Sequence, residues 1–267
     1  MALQKKVFGR VEYLGTRYRG WQAQGKTELL TISGVLRHYL GEVLGDKCSK
    51  ATLLGASRTD AGVHARGNAF HLSLEYVEGA SPVSMEGLTM GLNTLLRRNL
   101  HPIRILEAKE VPLTFHAHSA LRKTYRYQAI VSQSVFHQDR YFLLSHPLDL
   151  SLLHQAASLL TGTIPIRSFS KRRKDKPDDP AHRTIENIHL ETEGTEVRIY
   201  VTGPSFSWRQ VRYMAGCLLD CGLGRMSLPT VATLLAGNTG HMAPLAPAEG
   251  LTLMEVQYDP SSFDGPI

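Results

Sequence analysis

The densest group of reactive residue types in the sequence lies between residues 55 and 65, and it reads Gly-Ala-Ser-Arg-Thr-Asp-Ala-Gly-Val-His-Ala. Asp60, at its centre, is a carboxylate of the kind that acts as a nucleophile or a base. Gly55 and Gly62 permit backbone angles and close approaches that other residues resist. By composition alone a structural role is equally good, with Asp60 capping a turn and Arg58 pairing with it.

Cysteine and histidine residues form weaker patterns. Cys48, Cys217 and Cys221 are an odd and sparse set, which argues against a disulfide framework. Cys217 and Cys221 would share one helical face and could be half of a metal site, but no further ligands follow at a useful spacing. We therefore expect buried thiols and no metal. His64 and His71 are typical of loop or sheet histidines and receive no catalytic role.

Composition and charge limit the class of protein. The chain has 267 residues, of which 42% are hydrophobic and 20% charged, as in an ordinary globular protein. Its net charge of +6 favours a polyanionic partner, because each neutralised phosphate releases counterions. No run reaches the roughly 18 apolar residues of a membrane helix, and none resembles a signal peptide. We expect a cytoplasmic protein without a membrane partner.

The spacing of apolar residues predicts the elements that position these side chains. In the first half, strands are predicted at 5–13, 52–55, 70–76 and 103–108. One helix is predicted after a cap at Thr31 or Ser33, and a second is opened by Ser81-Pro82. In the second half, strands are predicted at 123–131, 184–190, 196–202 and 251–258. Helices are predicted after Asp149, over 208–219 and after Ser227.

Both halves therefore follow the order β-α-β-β-α-β. This order predicts an α+β protein with two ferredoxin-like halves around a largely antiparallel or mixed sheet, and an active-site cleft between the halves. The predicted domains are residues 1–109 with the aspartate loop, residues 110–260, and a tail at 261–267. Residues 171–184 are rich in charge and contain two prolines, which predicts a mobile loop. That loop is either simply solvated or a basic flap that orders on RNA.

The string at 55–65 resembles the signature of the TruA family of tRNA pseudouridine synthases. Similar blocks follow the family's order at 11–24, 115–127, 206–216 and 248–251, so that the resemblance spans residues 7–258. The sequence departs from the family pattern at Leu14, Ser57, the pair His118-Ser119 and the pair Ser207-Trp208. None of these departures touches Asp60; they concern RNA contacts.

The resemblance implies a role for five residues. Asp60 matches the catalytic aspartate, and Tyr125 matches the tyrosine that lies against the target base. Leu251 matches an apolar residue of the pocket wall, and Arg58 an arginine that holds the place of the extruded nucleotide. Arg212 matches the basic residue that pairs with the aspartate; such a cation keeps a carboxylate ionised in a dry pocket.

The sequence pattern alone also allows purely structural roles for these residues. Tyr125 lies on an alternating strand and would more often be a core residue. Arg209, Gln210 and Arg212 would more often form the exposed face of an amphipathic helix.

The resemblance implies an isomerase that converts uridines 38 to 40 of the tRNA anticodon stem-loop and acts as a homodimer. The reaction neither adds nor removes atoms, so no cofactor or metal is expected. Two other classes of protein stay open at this point. One is a non-catalytic RNA-binding protein on the same scaffold, since a fold does not fix a chemistry. The other is an aspartate-centred hydrolase.

Overall fold

A computed structural model of the protein describes residues 3–22, 30–170, 180–237 and 241–265. Contacts divide the chain into two compact units, Met1–Leu121 with Leu253–Ile267, and Arg122–Thr252. Each unit combines helices with β-strands, which confirms the α+β class. The predicted division into residues 1–109, residues 110–260 and a tail at 261–267 stays a prediction. The compact unit continues to Leu121 because Phe115 packs edge-on against Phe8, with their ring centroids 5.6 Å apart.

The first unit has the predicted β-α-β-β-α-β order. β1 (Gln4–Tyr13) pairs antiparallel with β3 (His64–Tyr76) and with β4 (Ile103–Val111). β2 (Cys48–Gly55) pairs with the second half of β3, ending at Gly55 opposite Phe70. The helices are α1 (Ile32–Leu44) and α2 (Met85–Arg98). A buried stripe at four-residue spacing, Leu88, Leu92 and Leu96, explains the packing of α2.

The second unit repeats that order with insertions. β5 (Arg122–Val131) pairs antiparallel with β10 (Glu196–Gly203), which pairs in turn with β9 (Asn187–Glu193). The helices are α3 (Leu150–Leu160), α4 (Gln210–Gly222) and α5 (Leu228–Leu235). The inserted strands are β6 (Phe142–Leu144), parallel to β5, and the antiparallel pair β7 (Gly162–Pro165) and β8 (His182–Ile185). The last strand, β11 (Leu251–Gln257), begins in this unit and continues into the first, where it lies beside β3.

Side-chain caps confirm three of the predicted helix starts. Thr31, Asp149 and Ser227 each accept a hydrogen bond from a backbone N–H in the first turn of α1, α3 and α5. The predicted start of α2 at Ser81-Pro82 is wrong. Ser84 caps this helix by accepting from the Gly87 N–H, so the helix begins only at Met85.

The charged segment before β9 differs from its prediction. Residues 171–179 of the predicted loop lie outside the described residues. Residues 182–184, however, belong to β8, because His182, Arg183 and Thr184 pair with Pro165, Ile164 and Thr163 of β7. The single strand predicted at 184–190 is interrupted at Glu186, because β8 ends at Ile185 and β9 begins at Asn187.

Cys217 and Cys221 are fully buried in α4, as predicted for structural thiols. Within the described ranges, no group of three or more His, Cys, Asp or Glu side chains is placed to hold a metal ion. None of the helices in this part of the chain is both long and apolar enough to cross a membrane.

Candidate active site

Arg58 and Asp60 lie together in the loop of residues 56–63, which joins β2 to β3 in the first unit. The loop starts where the two strands separate, and there the Ala56 N–H donates to the Ala69 carbonyl at 2.7 Å. Thr59 is buried, Asp60 is half-buried and Arg58 is exposed. The middle of the loop is therefore anchored, and the arginine beside the aspartate is accessible from solvent.

The segment of residues 15–22, which follows β1 and precedes α1 in the sequence, holds this loop on both sides of Asp60. The Trp21 N–H donates to the Thr59 carbonyl at 3.0 Å, and the Gly62 N–H donates to the Tyr18 carbonyl at 3.3 Å. The Ile32 N–H at the start of α1 donates to the Gly20 carbonyl at 3.1 Å. The helix therefore fixes the segment, and the segment fixes the main chain around Asp60.

Two glycines let the segment approach so closely. Gly20 has a φ of +91°, and a Cβ there would come within 2.6 Å of the Thr59 carbonyl oxygen. A Cβ at Gly15 would overlap the Val63 carbonyl group. Any larger residue at either position would push the loop away from the segment.

A buried polar network supports the loop from β1 and β3. The Tyr13 and Thr59 hydroxyls are 2.8 Å apart. The Asn68 side-chain amide donates to the Tyr13 hydroxyl at 3.2 Å and to the Ser57 carbonyl at 3.1 Å. His64 is buried and its Nδ1 accepts from the Gly15 N–H at 3.0 Å, which is a structural contact. Full pairing of this kind makes a buried polar network rigid.

Tyr125 and Leu251 lie in the second unit. Tyr125 is on β5 opposite Val201, with 8% of its surface exposed, and the ring of Phe206 packs edge-on against it with the ring centroids 5.3 Å apart. Leu251 is buried at the start of β11. The residue before it, Gly250, is fixed to β5 because its carbonyl accepts from the Gln128 N–H at 2.9 Å. Both side chains are held in place by packing.

Arg212 is half-buried on α4, and its Nε donates to the Ala246 carbonyl at 2.9 Å. Gln210 is fully buried, and its Oε1 accepts from the Ser207 N–H at 2.8 Å. α4 is buried around nearly its whole circumference. It is therefore wrong to interpret Arg209, Gln210 and Arg212 as the exposed face of an amphipathic helix. Arg209, at a left-handed φ of 62°, places its guanidinium 4.6 Å from the Trp208 ring centre.

Several supporting residues were missed by sequence patterns. Thr59 and Phe206 lie inside blocks that were recognised, yet neither carries a pattern that separates it from its neighbours. Tyr13 was read only as one position of an alternating strand.

Known proteins resemble this chain over nearly its whole length. A family described as tRNA pseudouridine synthase matches residues 156–259. A tRNA pseudouridine synthase A from Bartonella tribocorum is 32% identical, over 93% of this chain and 97% of the relative. The protein of that name from Acetivibrio thermocellus is 34% identical, over 93% of this chain and 97% of the relative. The one from Thermus thermophilus is 35% identical, over 92% of this chain and 94% of the relative. This chain belongs to the tRNA pseudouridine synthase family.

Proposed function

We propose that this protein isomerises uridine to pseudouridine in tRNA, with Asp60 as its catalytic carboxylate. The observation that carries the proposal is the placement of Asp60 in a loop whose main chain is bonded on both sides to the segment before α1. Family membership over more than nine-tenths of the chain supports the same reaction. The reaction breaks the N1–C1′ bond, turns the uracil and rejoins it through C5, so we expect neither cofactor nor metal.

A uridine stacked in an RNA stem has to leave the stack before its glycosidic bond can be reached. Extrusion costs a few kcal/mol, and aromatic and apolar side chains then receive the base. We assign this role to Tyr125 and Leu251, whose positions are fixed by Phe206 and by the contact of Gly250 with β5. Arg58 is exposed, as required of a side chain that takes the place of the extruded nucleotide.

We assign to Arg212 the role that the family resemblance gives it, that of the basic residue that pairs with the catalytic aspartate. Its Nε is bonded to the Ala246 carbonyl, and the Ala246 N–H donates back to the Arg212 carbonyl at 3.1 Å. These two bonds limit how far the guanidinium can turn. A guanidinium stays charged at any physiological pH, which suits it to a permanent electrostatic role.

We further propose uridines 38 to 40 of the anticodon stem-loop as the targets. Unmodified tRNA transcripts are incubated with the purified protein without added cofactor, and pseudouridine is mapped at single-nucleotide resolution. Matched transcripts carry cytidine at one of the three positions. We expect product at the remaining uridines of this stretch only. Product confined to another part of the tRNA would contradict the target assignment and leave the reaction standing.

We also propose that the protein works as a homodimer in the cytoplasm. Sedimentation equilibrium measures the mass directly, and a homodimer of this 29.6 kDa chain should give twice that value. A mass of one chain at concentrations at which the protein modifies tRNA would contradict the dimer. Cell fractionation followed by detection of the protein tests the compartment.

The alternative of a non-catalytic RNA-binding protein gains no support from the relatives, and neither does a hydrolase. All the relatives described above are named as synthases. Tight binding of tRNA without any pseudouridine would favour the RNA-binding alternative over the proposed reaction.

A further inference from the structure

Two basic residues, Lys123 and Arg183, lie at neighbouring strand ends of the second unit. Lys123 lies on β5 opposite Gly203 of β10, and Arg183 lies on β8. A Cβ at Gly203 would come within 2.7 Å of the Thr184 carbonyl oxygen. Because Gly203 has no side chain, β8 can lie directly against the end of β10. Arg183 on β8 is thus close enough to Lys123 for their charges to interact, although the two residues are 60 positions apart in the sequence.

The two charges influence each other. Burial and, to a smaller extent, the positive charge of Arg183 together lower the pKa of Lys123 from 10.5 to about 8. Like charges that are held together in a partly dry site each disfavour the charged form of the other. An anion that binds to both reverses this effect, because it gains a charge-assisted bond from each.

Hydrogen bonds orient the Arg183 guanidinium beside the aromatic pair of Tyr125 and Phe206. Its Nε donates to the Ser207 hydroxyl at 3.1 Å, and its Nη1 donates to the Ser205 hydroxyl at 3.0 Å. These two serines flank Phe206, whose ring contacts Tyr125. Lys123 and Tyr125 are two residues apart on one strand, so their side chains leave the same face of the sheet. Lys123 thus lies on the same face of the strand as the ring assigned to the target base, and Arg183 is bonded to the two serines that flank the ring's partner, Phe206.

We propose that Lys123 and Arg183 bind a phosphodiester group directly flanking the nucleotide whose base lies against Tyr125. The inference rests on the proposed function, since it takes RNA as the ligand. Uracil and ribose are uncharged at neutral pH, and the phosphodiesters on either side are the anions nearest to the extruded base. A guanidinium presents a planar fork to phosphate and an ammonium adds a point charge, so the pair suits one phosphate.

The test combines protein variants with single phosphate changes in the RNA. Anticodon stem-loop RNAs carry one neutral methylphosphonate, on the 5′ or the 3′ side of the target uridine. Their affinities are measured for the wild type, Lys123→Met, Arg183→Gln and the control Arg225→Gln. Arg225 is exposed and follows the C-terminal end of α4, whereas Ser207 precedes its N-terminal end, and the helix is about 20 Å long.

At one of the two positions, the methylphosphonate should weaken RNA binding by the wild type and by Arg225→Gln about tenfold. Lys123→Met and Arg183→Gln should bind the unmodified RNA about tenfold more weakly than the wild type does. The methylphosphonate at that same position should not weaken the binding of these two variants any further. Equal methylphosphonate penalties in all four proteins, or none at either position in the wild type, would overturn the proposal. Pseudouridine formation by the wild type is measured in parallel, so that failure of the reaction is seen separately from failure of the phosphate contact.

Discussion

The hydroxyl of Tyr13 lies 2.8 Å from the hydroxyl of Thr59, the residue immediately before Asp60. Both side chains are buried, with 3% and 7% of their surface exposed. Tyr13 is the last residue of β1, so this hydrogen bond connects the proposed catalytic loop directly to the sheet of the first unit. The position of Asp60 thus depends on a residue that does no chemistry.

Removal of the Tyr13 hydroxyl tests this dependence. In Tyr13→Phe, the Thr59 hydroxyl and the Asn68 amide each lose a buried partner, which should destabilise the protein by about 1–3 kcal/mol. We expect the single-turnover rate of pseudouridine formation to fall by about tenfold, while tRNA affinity changes little. The rate, the affinity and urea-induced unfolding are measured on the same preparation. An unchanged rate despite the expected destabilisation would show that the hydroxyl supports the fold and not the position of Asp60.

The close approach at Gly20 predicts a second loss of activity. Gly20→Ala places a methyl group against the Thr59 carbonyl oxygen and also strains a φ of +91°. Gly79→Ala is the matched control, since its φ is +81° and nothing lies within 4 Å of the added Cβ. Each variant should lose about 1 kcal/mol of stability or more from backbone strain. Only Gly20→Ala should also lose pseudouridine formation; similar activities in the two variants would contradict the close-approach argument.

The edge-on contact between Phe206 and Tyr125 predicts an effect on turnover. Phe206→Leu keeps an apolar side chain but removes the ring edge that fixes Tyr125. We expect a several-fold lower kcat on tRNA, with a smaller change in KM. Phe136→Leu provides a control, because Phe136 is 83% exposed. Equal kcat values for the two variants would argue against a positioning role for Phe206.

The burial of His71 predicts that the protein loses stability in mild acid. It is buried on β3 and its Nδ1 accepts from the Ala117 N–H at 3.0 Å. Burial, with smaller contributions from Lys6, His116 and His118, lowers its pKa from 6.5 to about 4. Between these two values the unfolded chain binds a proton that the folded protein does not, so the free energy of unfolding decreases as the pH falls.

Urea unfolding at several pH values between 6.5 and about 4 measures this decrease. In His71→Gln, which cannot take up the proton, the free energy of unfolding should depend less steeply on pH over the same interval. A slope equal to that of the wild type would exclude His71 as its source.

Local sequence signals predicted most of the fold, and packing explains what they missed. Capping residues such as Thr31 and Asp149 act within one helical turn, so a sequence pattern suffices to find them. β6 has three residues and β7 four, which is too short for an alternating pattern to be recognised.

The candidate site was predicted from its motif and not from its geometry. Asp60 and Arg58 were found because the string around them is distinctive. The contact of Gly20 with Thr59 and the approach of β8 to Gly203 each join segments that are distant in sequence. Such contacts depend on tertiary packing, and a single sequence carries no local signal for them.

The central claim is that Asp60 carries the reaction. The most direct measurement compares pseudouridine formation by the wild type and by Asp60→Asn on the same unmodified tRNA transcript, with tRNA affinity measured for both proteins. We predict product from the wild type alone and similar affinities, because asparagine keeps the shape of the side chain but is neither a nucleophile nor a base. Substantial pseudouridine formation by Asp60→Asn would contradict the assignment.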